Sequence, residues 1–270
     1  MEPHDYTSVT GAGQTRWVPT LDRTGYALEF EDTFRSPELD RTKWLPYYLP
    51  QWSSRDRTAA RYEVGDGLRL LISEDQQPWA PEYDGPLRVT NLQTGVRSGP
   101  VESHDGQLRF RDDLVVTEAQ PAQQLYTPTY GLVEVRAKAN PDPRCMVAFY
   151  LIGFEERPHE SGEICLLEIF GNDLAHTKMG IHRWHDPALP EETEKVPIPG
   201  DSTQWHEYAA RWEPGRTELF LDGTLAKTID AAPDYPMQLM LDIYEFEPGG
   251  AYPKRFEVDW VRGWGRADLR

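Results

Sequence analysis

Short strand-type runs, broken about every ten residues by Gly, Pro, Asn or Asp, constrain this chain more than any other feature. The clearest runs cover 26–31, 61–64, 67–72, 130–139, 145–153, 163–170, 176–184, 205–213, 216–221, 224–229, 236–244 and 254–264. Helix-period segments are scarce. Such spacing predicts an all-β sandwich or barrel. Asp222-Gly223, between Leu221 and Thr224, reads as a tight hairpin turn, and Pro214-Gly215 reads as another. Together they predict a three-strand meander across 205–229. Phe256, Val258 and Trp260 alternate with Glu257 and Asp259, the pattern of a half-buried strand. The run Met146 to Ile152 does not alternate, so both of its faces must be covered, which suits a central strand. No repeat or composition break divides the chain. A single domain is expected over 26–270, behind a polar, loose extension over 1–25. The proline-rich stretches 78–86 and 186–199 read as long surface loops of the kind that flank binding sites.

Composition removes several function classes. The 270 residues carry a net charge of −17, which opposes nucleic acid and anionic membrane surfaces, since both are bound through cationic side chains. The longest apolar run, Cys145 to Phe154, is far short of the roughly 20 residues that span a bilayer. Met1 to Thr20 lacks the apolar stretch of a signal peptide, so the chain as written reads as cytoplasmic. Its 2 cysteines cannot frame a disulfide scaffold. A hairpin near 154–162 that sets residue 153 against 163 places Cys165 opposite about residue 151, roughly 20 Å from Cys145 at strand rise. Two free thiols are expected, and a monomer.

The stretch Ser161-Gly162-Glu163-Ile164-Cys165-Leu166-Leu167-Glu168-Ile169-Phe170-Gly171 poses a conflict. In a regular strand Glu168 shares a face with Ile164 and Leu166, and burying an unpaired carboxylate among aliphatics is costly. A β-bulge near Leu166-Leu167 resets the parity. Ile164 and Ile169 then go to the core, while Glu163, Cys165 and Glu168 share the outer face. The two glutamates lie about four strand steps apart, roughly 13 Å between Cα atoms. Long side chains leaning together bring the carboxyls to about 5–5.5 Å, the spacing that retaining glycosidases use. Two unrelated glutamates are the plain alternative. His176, His182 and His185 do not converge on a metal, because 182 and 185 alternate faces and 176 lies far along the strand.

The same stretch resembles the E-x-D-x-x-E signature of glycoside hydrolase family 16, the laminarinase, lichenase and agarase family. Other landmarks agree in order. Glu29 to Phe34 with Lys43-Trp44 is similar to the family's opening strand and loop, and Thr94 to Ser98 to a segment ahead of a long strand. Tyr130 to Lys138 is similar to its Y-G-x-x-E-x-R strand, and Trp205 to Tyr208, Leu221-Asp222-Gly223 and Val258 to Arg262 to its later ones. The resemblance spans roughly 26–264. It implies a two-sheet antiparallel β-jelly-roll sandwich with a concave substrate cleft, agreeing with the strand pattern.

It also implies a retaining, endo-acting hydrolase of a β-linked glucan or galactan. Glu163 would be nucleophile and Glu168 general acid and base. The middle Asp of the signature is Cys165 here, a neutral thiol whose pKa two flanking carboxylates would raise. In the family's G-x-W-P-A-F-W strand, Met146 and Tyr150 replace the two tryptophans. The segment 99–128 reads as an insertion. Arg97, His182, Trp184, Tyr244, Trp52, Tyr150 and Met146 are cleft candidates toward a polysaccharide or oligosaccharide. Asp259 resembles the Asp that many members use for a structural calcium, and the chemistry itself needs no cofactor. The Cys165 departure also admits a glycan-binding protein with little or no turnover, and a transglycosylase needs the same residues. Members of the family are usually secreted.

Overall fold

Strand pairing follows the sequence punctuation closely in the computed structural model, which describes residues 6–11, 14–266 and 268. Toward the N-terminus, β1 (Tyr6–Gly11) and β2 (Gln14–Pro19) pair antiparallel, where the sequence reads as a loose extension. There follow β3 (Ala27–Asp32), β4 (Arg61–Glu63), β5 (Leu68–Ile72), β6 (Arg88–Gln93), β7 (Gly95–Val96) and β8 (Gln123–Gln124). The central run is β9 (Gly131–Lys138), β10 (Cys145–Gly153), β11 (Glu163–Phe170), β12 (His176–His182) and β13 (Glu192–Pro197). The last strands are β14 (His206–Glu213), β15 (Arg216–Leu221), β16 (Thr224–Ile229), β17 (Met237–Glu245) and β18 (Lys254–Gly265).

Two antiparallel sheets make the sandwich. One runs β13-β12-β11-β10-β17-β6, and the other β16-β15-β14-β9-β18-β5-β4, with β3 also paired to β18. Between them lies a core that takes Val147, Phe149 and Leu151 from β10 and Val133, Val135, Tyr208 and Trp212 from the facing sheet. The expected meander is present as β14, β15 and β16. Its Asp222-Gly223 turn has both residues at positive φ, +48° and +72°, the conformation a two-residue hairpin loop demands.

The six-stranded sheet has a second apolar layer on its other face. Ala148, Tyr150 and Ile152 of β10, with Met240 and Tyr244 of β17, pack under Tyr48, Trp52, Trp79, Leu108, Leu114 and Val116 from three loops. This explains why β10 does not alternate: one face belongs to the sandwich core and the other lies beneath loops. β13 falls inside the stretch expected to be a loop. Its largely exposed Glu and Lys residues give no apolar alternation, and charge of this kind is what protects a sheet edge. Among the described residues, no helix is long and apolar enough to cross a membrane.

Candidate active site

The β11 register contains the expected bulge. Against β10, Phe149 pairs with Leu167 and Tyr150 with Cys165, so Leu166 is the extra residue. Against β12, Cys165 pairs with Gly180 and Glu168 with Lys178, again one residue over. Both bulge leucines consequently enter the sandwich core with Ile164 and Ile169. Glu163, Cys165 and Glu168 line one cavity of about 270 Å³ on the opposite face. The hairpin register is one residue from that expected: Ile152, not Gly153, faces Glu163.

Glu163 is nearly buried and sits across from His182. Its Oε2 accepts a hydrogen bond from the Trp184 indole Nε1–H at 2.9 Å. Burial pushes its pKa up to about 7, against the pull of His182 and Trp184, and Glu168 adds to the rise. Glu168 is more open. Lys178 Nζ donates to its Oε1 at 2.7 Å, and its backbone N–H donates to Thr177 Oγ1 at 3.2 Å. Between them the Cys165 thiol donates to the Lys178 carbonyl at 3.5 Å. Its pKa lies well above the usual thiol value, chiefly through burial and then through the two glutamates. The thiol therefore stays neutral, as the sequence suggests, with desolvation rather than the carboxylates as the main cause. Cys145 is the other free thiol.

The cavity wall holds five of the cleft candidates, namely Met146, Tyr150, His182, Trp184 and Tyr244. Tyr244 donates to Asp242 Oδ2 at 2.9 Å, and the Tyr150 and Tyr244 hydroxyls are 3.4 Å apart. Asp242 lies fully buried in the cross-strand row Glu168, Ala148, Asp242, Asn91, with its pKa pushed up to about 8 by burial. Sequence reasoning missed Asp242, Tyr48, Asp84 and Phe110. Asp242 was legible only as a polar break in Met240-Leu241-Asp242-Ile243, and the others sit on loops whose course no periodicity sets.

Three candidates lie elsewhere. Trp52 is a buried loop anchor: its Nε1–H donates to the Gln107 carbonyl at 2.9 Å. Its ring packs on Gly106, where any Cβ would come within 2.7 Å of it. Arg97 lines a separate cavity, with its guanidinium held by the Glu155 carbonyl and, at 2.7–2.8 Å, by the Asp105 carboxylate. Asp259 does not fit calcium, because its two oxygens accept from Arg35 at 2.6 Å and Arg136 at 2.5 Å. A carboxylate neutralised by two guanidinium groups has no charge to offer a cation. Nor does any group of three or more His, Cys, Asp or Glu among the described residues form a metal cage.

A two-sheet sandwich whose outer face gathers two carboxylates under aromatic rings is an architecture suited to sugars, whose faces stack on such rings. Residues 117–262 match the profile of the glycosyl hydrolases family 16, and the chain belongs to that family. Over 92% of its length it is 30% identical, with a TM-score of 0.81, to the GlcNAcα1-4Gal releasing endo-β-galactosidase from Clostridium perfringens, and it spans 65% of that protein's chain. It shares its fold with a laminarinase from Flavobacterium sp. UMI-01, at 16% identity and TM-score 0.62, covering 88% of this chain and 100% of that one. The laminarinase catalytic domain from Thermotoga maritima MSB8 is similar at 14% identity and TM-score 0.55, covering 89% of this chain and 98% of the other. No curated protein matches the sequence.

Proposed function

We propose that this protein cleaves a β-glycosidic bond by double displacement, with retention of configuration. The observation that carries the reading is the placement of Glu163 and Glu168 on one cleft face by the bulge in β11. A Glu163 oxygen attacks the anomeric carbon while Glu168 gives its proton to the departing glycosidic oxygen. Glu168 then takes a proton from water as that water attacks the same carbon, which frees Glu163. Trp184 serves the nucleophile as the hydrogen-bond donor that residue 165 cannot be, since the thiol turns to the Lys178 carbonyl instead. A sugar in place of water would make the same residues transglycosylate.

The similarity to an endo-β-galactosidase, higher in identity than that to either laminarinase, favours a galactose-containing glycan over a β-glucan as substrate. The test is a panel of mucin-type O-glycans, agarose, laminarin and lichenan with product sizing. Hydrolysis should fall by at least about a thousandfold in Glu163→Gln and in Glu168→Gln. Undiminished hydrolysis in both would remove the assignment. One observation supports a second reading, a glycan-binding protein: Cys165 leaves Glu163 without the carboxyl neighbour of the family signature. Binding without product in the wild-type protein would select it.

A further inference from the structure

The track through the two glutamates crosses the strands. The cavity at Glu163 takes its floor from β17, β10, β11 and β12, and a groove of about 240 Å³ continues it over Phe170, Lys178 and Lys195 toward β13. Glu168 belongs to both. A glycan chain cut here lies across the sheet, with Glu168 between its two halves. The cavity that holds Arg97 is off this line. It measures about 500 Å³ and sits past one edge of the sheet, where β10 and β12 end and β11 begins. Three segments meet there: the insertion through Ser103, Arg109 and Asp112, the β10–β11 loop through Glu155 and Glu156, and the loop after β12 through His185. A single ridge divides the two cavities. Phe110 and Trp184 line the one at Glu163, their chain neighbours Arg109 and His185 line the other, and His185 Nε2 donates to the Arg109 carbonyl at 2.9 Å.

The wall of this second cavity carries hydrogen-bonding capacity that the protein does not use. Glu155 is only 4% exposed. One of its carboxyl oxygens accepts from the Leu108 N–H at 2.6 Å, while the other has no partner among the described residues and opens to the cavity. Burial pushes its pKa up to about 8, so at neutral pH the carboxyl can donate as well as accept. Arg109 Nη2 donates to the Asp112 carbonyl at 2.6 Å, and Nη1 has no hydrogen-bond partner among the described residues. No positive charge is left over. Arg97 is paired with Asp105 at 2.7 Å and Arg109 lies 3.7 Å from the Asp112 carboxylate, with Glu156 in addition. Paired donors and acceptors without surplus positive charge suit sugar hydroxyls and oppose an anion.

We infer that this cavity is a second sugar site, which takes a neutral side branch of the glycan whose backbone lies in the cleft, so that the protein selects branched over linear chains. The inference rests on the proposed hydrolysis. A backbone that follows the cross-strand track passes the cavity by, because the cavity lies along the strand direction from Glu163. A short branch on the sugar above Glu163 has only the Arg109–His185 ridge to cross.

The test is titration calorimetry of the Glu163→Gln protein with matched galacto- and gluco-oligosaccharides, one set linear and the other carrying a single neutral sugar branch at each ring position in turn. At least one branched compound should bind about tenfold more tightly than its linear parent, the worth of one or two added hydrogen bonds. Affinities equal to the linear parent at every branch position would overturn the inference and leave the hydrolase reading intact. Arg109→Met should bring the branched-to-linear ratio down toward one, and an unchanged ratio in a folded variant would show that the branch does not lie in this cavity. A uronic acid at the same branch position should forfeit the gain, and binding as tight as that of the neutral branch would overturn the neutral site. With the wild-type protein the branch should lower KM and leave kcat nearly unchanged, since the cavity touches no reacting atom. A preference expressed in kcat alone would contradict a binding site. Absence of binding and turnover on linear and branched glycans alike would instead remove the proposed function, and this inference with it.

Discussion

Glu163 carries a charge that its surroundings resist. Burial raises its pKa to about 7, yet the nucleophile we propose it to be acts only when ionised. The acid limb of kcat/KM should therefore rise with pH through about 7, and measurements on the free enzyme report it. Trp184→Phe removes the indole donor that favours the ionised form, so that limb should move to higher pH. An unmoved limb would show that the indole does not tune the carboxylate. Cys165→Asp adds a third acidic group to a buried row and aims it at the Lys178 carbonyl that now accepts the thiol. The expected result is a lower melting temperature together with an acid limb displaced upward, because a second negative neighbour further disfavours ionised Glu163. Raised turnover with an unchanged limb would mean that the new carboxyl donates to Glu163 as a neutral acid.

At the scale of the element, the bulge in β11 decides which chemistry the strand can present. Deleting Leu166 restores regular pairing and shifts every residue on one side of the deletion to the other face. Either Glu168 then enters the aliphatic core, at a cost of several kcal/mol or more, or the core residues are turned out. Loss of the cooperative unfolding transition is expected in circular dichroism. A folded deletion variant with Glu168 still in the cleft would show that neighbouring strands, not the extra residue, set the parity. Much of this was legible beforehand. Glu168 placed on one face with Ile164 and Leu166 is a local contradiction that only an irregularity resolves, and it can be read from the side-chain period of two. The edge strand β13 was not legible, because Glu192 to Pro197 has neither apolar alternation nor a turn signal, and it pairs only because β12 offers an open edge.

Among the described residues burial raises four carboxyls: Asp84, Glu163 to about 7, and Glu155 and Asp242 to about 8. Unfolded, each would ionise near about pH 4. Between those values the native state keeps protons that the unfolded chain has given up. Their stabilising contribution is thus complete below about pH 4 and is lost as pH rises to about 8. The protein should melt at a higher temperature near pH 5 than near pH 8, and Asp242→Asn should flatten that slope in a calorimetric pH series. An unaltered slope would show that Asp242 does not hold a proton in the fold. The net charge of −17 acts in the same direction, since self-repulsion grows as these groups ionise.

The sequence by itself determined most of the strands of the two large sheets, though not β6 or β13, together with the meander turn, the bulge and the pair of glutamates on one face, because each follows from a period of two or from a turn residue a few positions away. It also carried the family signature, and with it the sandwich. The tertiary structure alone decided what surrounds those glutamates. Trp52 and Arg97 stand near the right strands in sequence, yet one is consumed in anchoring a loop and the other in pairing with Asp105. Asp259 has the right residue type for a cation and the wrong neighbours, two arginines brought from β9 and from the loop after β3. The roof over β10 and β17 comes from loops with no regular pattern, and their course is set by where aromatic rings such as Tyr48 and Trp79 find apolar surface to cover.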